Sequence, residues 1–120
     1  MDHISIPITH TARTRAFYAA CLAPLGWVER GYAEGRYVGF HKAGEAVLYF
    51  GVAKTVGEVH LAFRATDHDG VHAFHTAAMA NGAVDNGPPG PRPGYGPDYY
   101  AAFVRDPDGH NIEAVLGGVR

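Results

Sequence analysis

The feature that most constrains this chain is a repetition. Shifting the sequence by 57 positions lays His3 on His60 (60 − 3 = 57), Ile4 on Leu61 and Ile6 on Phe63. At the same offset Ala16-Phe17 fall on Ala73-Phe74, Ala20 on Ala77, Leu22 on Met79 and Ala23 on Ala80. Alanine on alanine is easily obtained by chance in a helix. A His, a strand pattern and a helical Phe preserved at one offset point instead to an internal repeat. About 55 residues make a marginal core. Two such halves must therefore combine to bury their sheet faces, and we expect one domain over 1–120, with module one about 1–57 and module two about 58–120.

Periodicity gives each half the order β-α-β-β-β. "DHISIPI" alternates His3, Ser5 and Pro7 against Ile4, Ile6 and Ile8, the two-residue period of a half-buried strand. Thr11 is the expected N-cap of a helix carrying Phe17, Ala20 and Cys21, which runs on until Gly26. "WVERGY", "RYVGFHK" and "AVLYFGV" read as three strands separated by glycine-containing turns. "EVHLAFRA" opens the second half. A helix capped by Asp67 or Asp69 follows, with Val71, Phe74, Ala78 and Met79 on its apolar face and Asn81-Gly82 at its end. A short strand near Ala83–Asn86 precedes the loop "GPPGPRPGYGP", and "YYAAFVR" and "HNIEAVL" close the repeat around the Asp106-Pro107-Asp108-Gly109 turn. The fold class is thus α+β: two paired βαβββ modules forming a curved, cup-shaped mixed sheet with helices on the outside.

Composition narrows the partners. The chain is 47% hydrophobic and 18% charged, with ten Lys and Arg against twelve Asp and Glu, a net charge of −2. No basic cluster exists, so nucleic acid is not an expected partner. No apolar run approaches the roughly 20 residues of a membrane span, and no membrane partner is expected. The lone Cys21 excludes an internal disulfide and fits a reducing cytoplasm, the expected location. Its helical setting reads as a small buried hydrophobe rather than a nucleophile.

The chemistry lies in the duplicated histidine. His3 and His60 hold one strand position in both modules and project from the same face of their strands. If that face is the concave one, two imidazoles converge. Glu113 lies in the last strand, on the Asn111/Glu113/Val115 side. Two imidazoles and a carboxylate make a facial triad for a divalent metal with positions left open for substrate, so His3, His60 and Glu113 are the expected ligands. His72 and His75 read as a solvated helix face, and His41, His68 and His110 as exposed strand or turn residues. In the Pro/Gly-rich stretch 87–98, Arg92 offers a partner for a substrate carboxylate or phosphate. Tyr95 and Tyr99 offer apolar faces with hydroxyl handles.

The stretches "DHISI" with "FYAACLAPLGW", "HLAF" with its following helix, and above all "YYAAFVRDPDGHNIEAV" resemble the vicinal oxygen chelate superfamily, the group of glyoxalase I, bleomycin-resistance proteins and extradiol dioxygenases. The ending is similar to that group's Phe-x-Asp-Pro-Asp-Gly-Asn-x-Ile/Leu-Glu, here with His110 before Asn111. The resemblance covers essentially the whole chain. It implies paired modules around a metal cup, with ligands at the positions of His3, His60 and Glu113. It also implies one divalent ion (Zn, Ni, Mn or Fe), a small-molecule substrate with vicinal oxygens, and a homodimer. Many members carry a fourth ligand, often Glu, in the last strand of module one. Matching "GEAVLYF" to "GHNIEAV" from their glycines places Leu48 opposite Glu113, with Tyr49 the side chain available if the register slips by one. The function implied is a metal-dependent lyase or isomerase in which Glu113 doubles as proton acceptor. The alternatives are a bleomycin-resistance-like binding protein and an Fe(II) extradiol-type dioxygenase.

Overall fold

The computed structural model describes residues 1–117. Strand β1 (His3–Ile8) leads into helix α1 (Thr11–Leu22), prolonged by a 3-10 turn at Ala23–Leu25 and ended by Gly26 at φ 88°. Only glycine enters that left-handed region without a Cβ clash. Strands β2 (Val28–Ala33), β3 (Tyr37–His41) and β4 (Val47–Val52) follow. The second module runs β5 (His60–Arg64), α2 (His68–Ala80), β6 (Val84–Asp85), β7 (Gly90–Pro91), β8 (Tyr100–Arg105) and β9 (Asn111–Leu116). Strand β7 is additional to the sequence reading: the Pro/Gly segment lays two residues against β8, Gly90 beside Ala101 and Pro91 beside Tyr100.

The duplication is visible in the pairing. The sheets have equivalent orders, β1-β4-β3-β2 and β5-β9-β8-β6, and in each the first strand runs parallel to the last. Architecture and class are those the repeat predicts, with open sheets whose edge strands β1 and β5 carry no partner on their outer sides among the described residues. Helices α1 and α2 pack on one another, and each covers its own sheet. Ile6, Ile8, Phe40, Leu48 and Phe50 of the first sheet thereby join Phe63, Val104, Ile112 and Ala114 of the second in one continuous core. Tyr18 of α1 stacks on Phe50 at 4.0 Å between ring centres.

Local expectations fare unevenly. Asp67 caps α2 by accepting from the Gly70 N–H at 2.7 Å. Thr11 does not cap α1; it is the first helical residue, after His10, and its hydroxyl accepts from the Gly35 N–H at 2.8 Å. Met79 is 40% exposed rather than part of the α2 core face, which Val71, Phe74 and Ala78 form. Cys21 is buried as expected, and burial pushes its thiol pKa up, which keeps it protonated.

His110 is the largest local departure. It is fully buried, because the turn before β9 is the joint between the modules. Its Nε2–H donates to the Pro7 carbonyl at 2.7 Å, and its Nδ1 accepts from the Val59 N–H at 3.0 Å. Asp106 accepts from the Tyr18 hydroxyl of α1, while Asp108 accepts from Thr9 at 2.6 Å. One turn thus ties β1, α1 and the start of β5.

Candidate functional site

Alternation decides which side chains share a face. In β5 and β9, Leu61, Phe63, Ile112 and Ala114 point toward the helices, so His60, Ala62, Arg64, Asn111, Glu113 and Val115 point the other way. Register sorts this free face into rows. His60 lies beside Asn111 and Arg105; Ala62 beside Glu113 and Phe103; Arg64 beside Val115 and Ala101. Glu113 occupies the middle row.

Glu113 is only 2% exposed and its carboxylate is hydrogen-bonded on both oxygens. Oε1 meets His60 Nε2 at 2.9 Å, and Oε2 accepts from the Tyr99 hydroxyl. Asn111 Nδ2 donates to His60 Nδ1 at 2.7 Å, which places the imidazole proton on Nε2, aimed at Glu113. Behind it, Asn86 Nδ2 donates to Asn111 Oδ1 at 3.1 Å. Every proton in this chain points toward the carboxylate. Burial, and then the hydrogen bond to Glu113, push the Tyr99 pKa up to about 12, so its hydroxyl stays protonated in neutral solution.

The expected residues distribute as follows. His60, Glu113 and Tyr99 come together. Tyr95 stands beside Tyr99, edge to face with ring centres 5.2 Å apart. His3 lies on the equivalent free face of the first sheet, where its Nδ1 bonds Asp2 at 2.6 Å and its ring meets Tyr49 edge-on at 5.9 Å. Ser5 pairs with Tyr49 and Ala62 with Glu113; since 5 + 57 = 62, Tyr49 rather than Leu48 is the repeat counterpart of Glu113. Counting from the glycines missed this by one residue, and Leu48 faces the core instead. Arg92 is engaged with its own loop, donating to the carbonyls of Pro88 and Gly90 at 2.7 and 3.0 Å, and its guanidinium carbon lies 5.6 Å from the Phe103 ring centre. Asn111, Asn86 and Phe103 were not singled out from the sequence. Asn111 had a legible signal, sitting two residues before Glu113 and so on the same strand face.

Donor chemistry gives a direct test of metal fit. One chain brings two side chains together, His60 and Glu113, and they already satisfy each other. No group of three His, Cys, Asp or Glu side chains placed to hold an ion occurs among the described residues. A facial triad needs three protein donors. The residues of a single chain therefore do not fit a resident divalent ion, because His3 belongs to the other sheet.

Beside the network lies a cavity of about 450 Å³. Tyr99, Ala62, Arg64 and Val115 of the second module line it together with Ile4, Leu48, Trp27, Lys42 and Glu45 of the first. Lys42 is tied to the Leu25 carbonyl at 2.8 Å. A volume of this size matches small organic ligands. No helix among the described residues is long and apolar enough to cross a membrane.

Comparison with known proteins agrees with this architecture. The family model described as Glyoxalase/Bleomycin resistance protein/Dioxygenase superfamily matches residues 1–114. A crystal structure of a glyoxalase/bleomycin resistance protein from Albidiferax ferrireducens T118 is 27% identical, with a TM-score of 0.80 over 96% of both chains. Lactoylglutathione lyase from Agrobacterium tumefaciens is 21% identical, with a TM-score of 0.72 over 98% of this chain and 92% of that one. The fosfomycin resistance protein FosX from Mesorhizobium loti is 18% identical, with a TM-score of 0.73 over 99% of this chain and 92% of that one. At those identities the last two speak to the fold alone. No curated protein sequence matches the chain.

Proposed function

The chain belongs to the glyoxalase/bleomycin resistance protein/dioxygenase superfamily, and on that premise we propose a lyase- or isomerase-type enzyme acting on a small molecule with vicinal oxygens. One observation carries the reading: a buried carboxylate, Glu113, held between two proton donors on the free face of the second sheet. Such a carboxylate is placed to take a proton from a carbon next to a carbonyl. The electron pair left on that carbon moves into the carbonyl, and negative charge develops on its oxygen. Tyr99 O–H and His60 Nε2–H, released from Glu113 as it takes the proton, then stabilise that oxygen. As the proton of the adjacent hydroxyl passes to that oxygen, returning the carbon-bound proton to the former carbonyl carbon moves the carbonyl to its neighbour and completes an isomerisation with no other reactant.

A divalent ion is the cofactor commonly associated with this family, and it would polarise the substrate's oxygens as a Lewis acid. Among the described residues of one chain no third donor meets His60 and Glu113. The homodimer we propose supplies it, with the first sheet of a second copy bringing His3 toward His60 and Glu113. The proton transfer above does not depend on that ion.

The test is deuterium exchange into hydroxyacetone, followed by NMR. The wild type is expected to exchange the protons beside the carbonyl, and Glu113→Gln to lose roughly 100-fold in rate, the scale of one general base. A wild type that leaves those protons untouched, or a Glu113→Gln variant as fast as wild type, removes the reading. The mutual satisfaction of His60 and Glu113 favours a second reading, a binding protein that sequesters an organic compound. Saturable binding without exchange is its signature.

A further inference from the structure

We propose that Arg64 is the anion-binding residue of this site, and that the ligand is a small organic acid whose carboxylate lies one row away from its reacting oxygens. The proposal rests on the placement of the site at Glu113 and adds the substrate class. Arg64 shares the free face of β5 with His60 and Ala62. It is exposed, lines the cavity beside Tyr99 and Val115, and has no side-chain hydrogen bond or ion pair among the described residues. Each neighbouring cation differs. Lys42 is committed to the Leu25 carbonyl, Arg92 to loop carbonyls and Arg105 to Glu58.

The floor between Arg64 and Glu113 consists of small side chains. Ala62 precedes Arg64 on the same face, while Val115 and Ala101 complete the Arg64 row. Residues two apart along a strand are separated by roughly 6–7 Å. A molecule lying on this floor with vicinal oxygens at Glu113 and Tyr99 thus reaches the guanidinium after two or three more carbons. The planar guanidinium binds a carboxylate through two parallel N–H···O bonds. Glu45, which also lines the cavity, carries the same sign as such a ligand and offers it no attraction.

The experiment compares 3,4-dihydroxybutanoate with its neutral amide by calorimetric titration of the purified full chain. The wild type is expected to bind the acid roughly tenfold more tightly than the amide, the effect of one charge-assisted contact. Arg64→Ala should bring the two probes to near equality without changing the melting temperature, and Arg64→Lys should restore part of the difference. A preference for the acid that survives in Arg64→Ala overturns the anion site alone. Equal binding of both probes by the wild type overturns it too. Failure of the wild type to bind either probe overturns it together with the ligand cavity it rests on. Glu113→Gln separates the two claims: it weakens the shared diol contacts and leaves the acid-to-amide ratio in place.

Discussion

Glu113 shows how one residue is given a role by its surroundings. In sequence it is a carboxylate inside an apolar strand; in the fold it has lost its water and kept two donors, His60 and Tyr99. The coupling can be read from Tyr99. Burial is the larger cause of its raised pKa of about 12, and the Glu113 hydrogen bond and charge add to it. Removing the charge in Glu113→Gln should therefore lower the Tyr99 pKa only partway toward the ordinary value of about 10. Ultraviolet titration of the tyrosinate, with Tyr99→Phe to assign the signal, checks this; an unchanged titration would show the pair uncoupled. The sign for stability follows. A folded pKa above the unfolded one contributes stability that is complete below pH 10 and is lost as pH rises through about 12. Acidic solution should leave this contribution intact.

At the scale of the element, the turn before β9 does two jobs. It reverses the chain and joins the modules, and His110 is where both depend on one side chain. Its ring satisfies the Pro7 carbonyl and the Val59 N–H while completely buried. His110→Ala should cost about 2–4 kcal/mol in chemical denaturation, from a cavity plus two buried backbone groups left without partners. A loss below 1 kcal/mol would mean the joint holds without it. The Asp-Pro-Asp-Gly turn was plain from its residues, since Gly109 adopts φ 88° there. The burial of the next residue was not, because His110 meets Pro7 from 103 positions away. The register of β4 was obscured in the same way. Turns of different length precede β4 and β9, so matched glycines misplace Tyr49 by one residue, and in a strand one residue changes the face.

For the whole molecule, the open edges of β1 and β5 leave two half-sites on separate sheets. His3 with Tyr49 forms one, His60 with Glu113 and Tyr99 the other. Under the homodimer proposal, His3→Ala and His60→Ala each abolish zinc binding by untagged protein, whereas the wild type holds about one ion per chain. Heterodimers made by mixing the two variants then regain about half an ion per chain, because one of their two composite sites is intact. Zinc retained by His3→Ala, or none regained on mixing, would exclude a site shared between copies. Size-exclusion chromatography of the wild type reports the dimer itself.

The sequence by itself determined the duplicated βαβββ order, both helices and every strand but the short β7, the polar faces of β1 and β9, and the position of Glu113. These are local or periodic properties, written in spacing of two and near four and in an offset of 57. Only the tertiary structure decided which donors meet. His60 joins Glu113 through a parallel ladder between residues about fifty apart, His3 is carried away on the other sheet, and Arg64 rather than Arg92 is left without a side-chain partner among the described residues. The physical reason is that a contact between distant side chains depends on strand register and on which layers pack together, and no short stretch of residues encodes either.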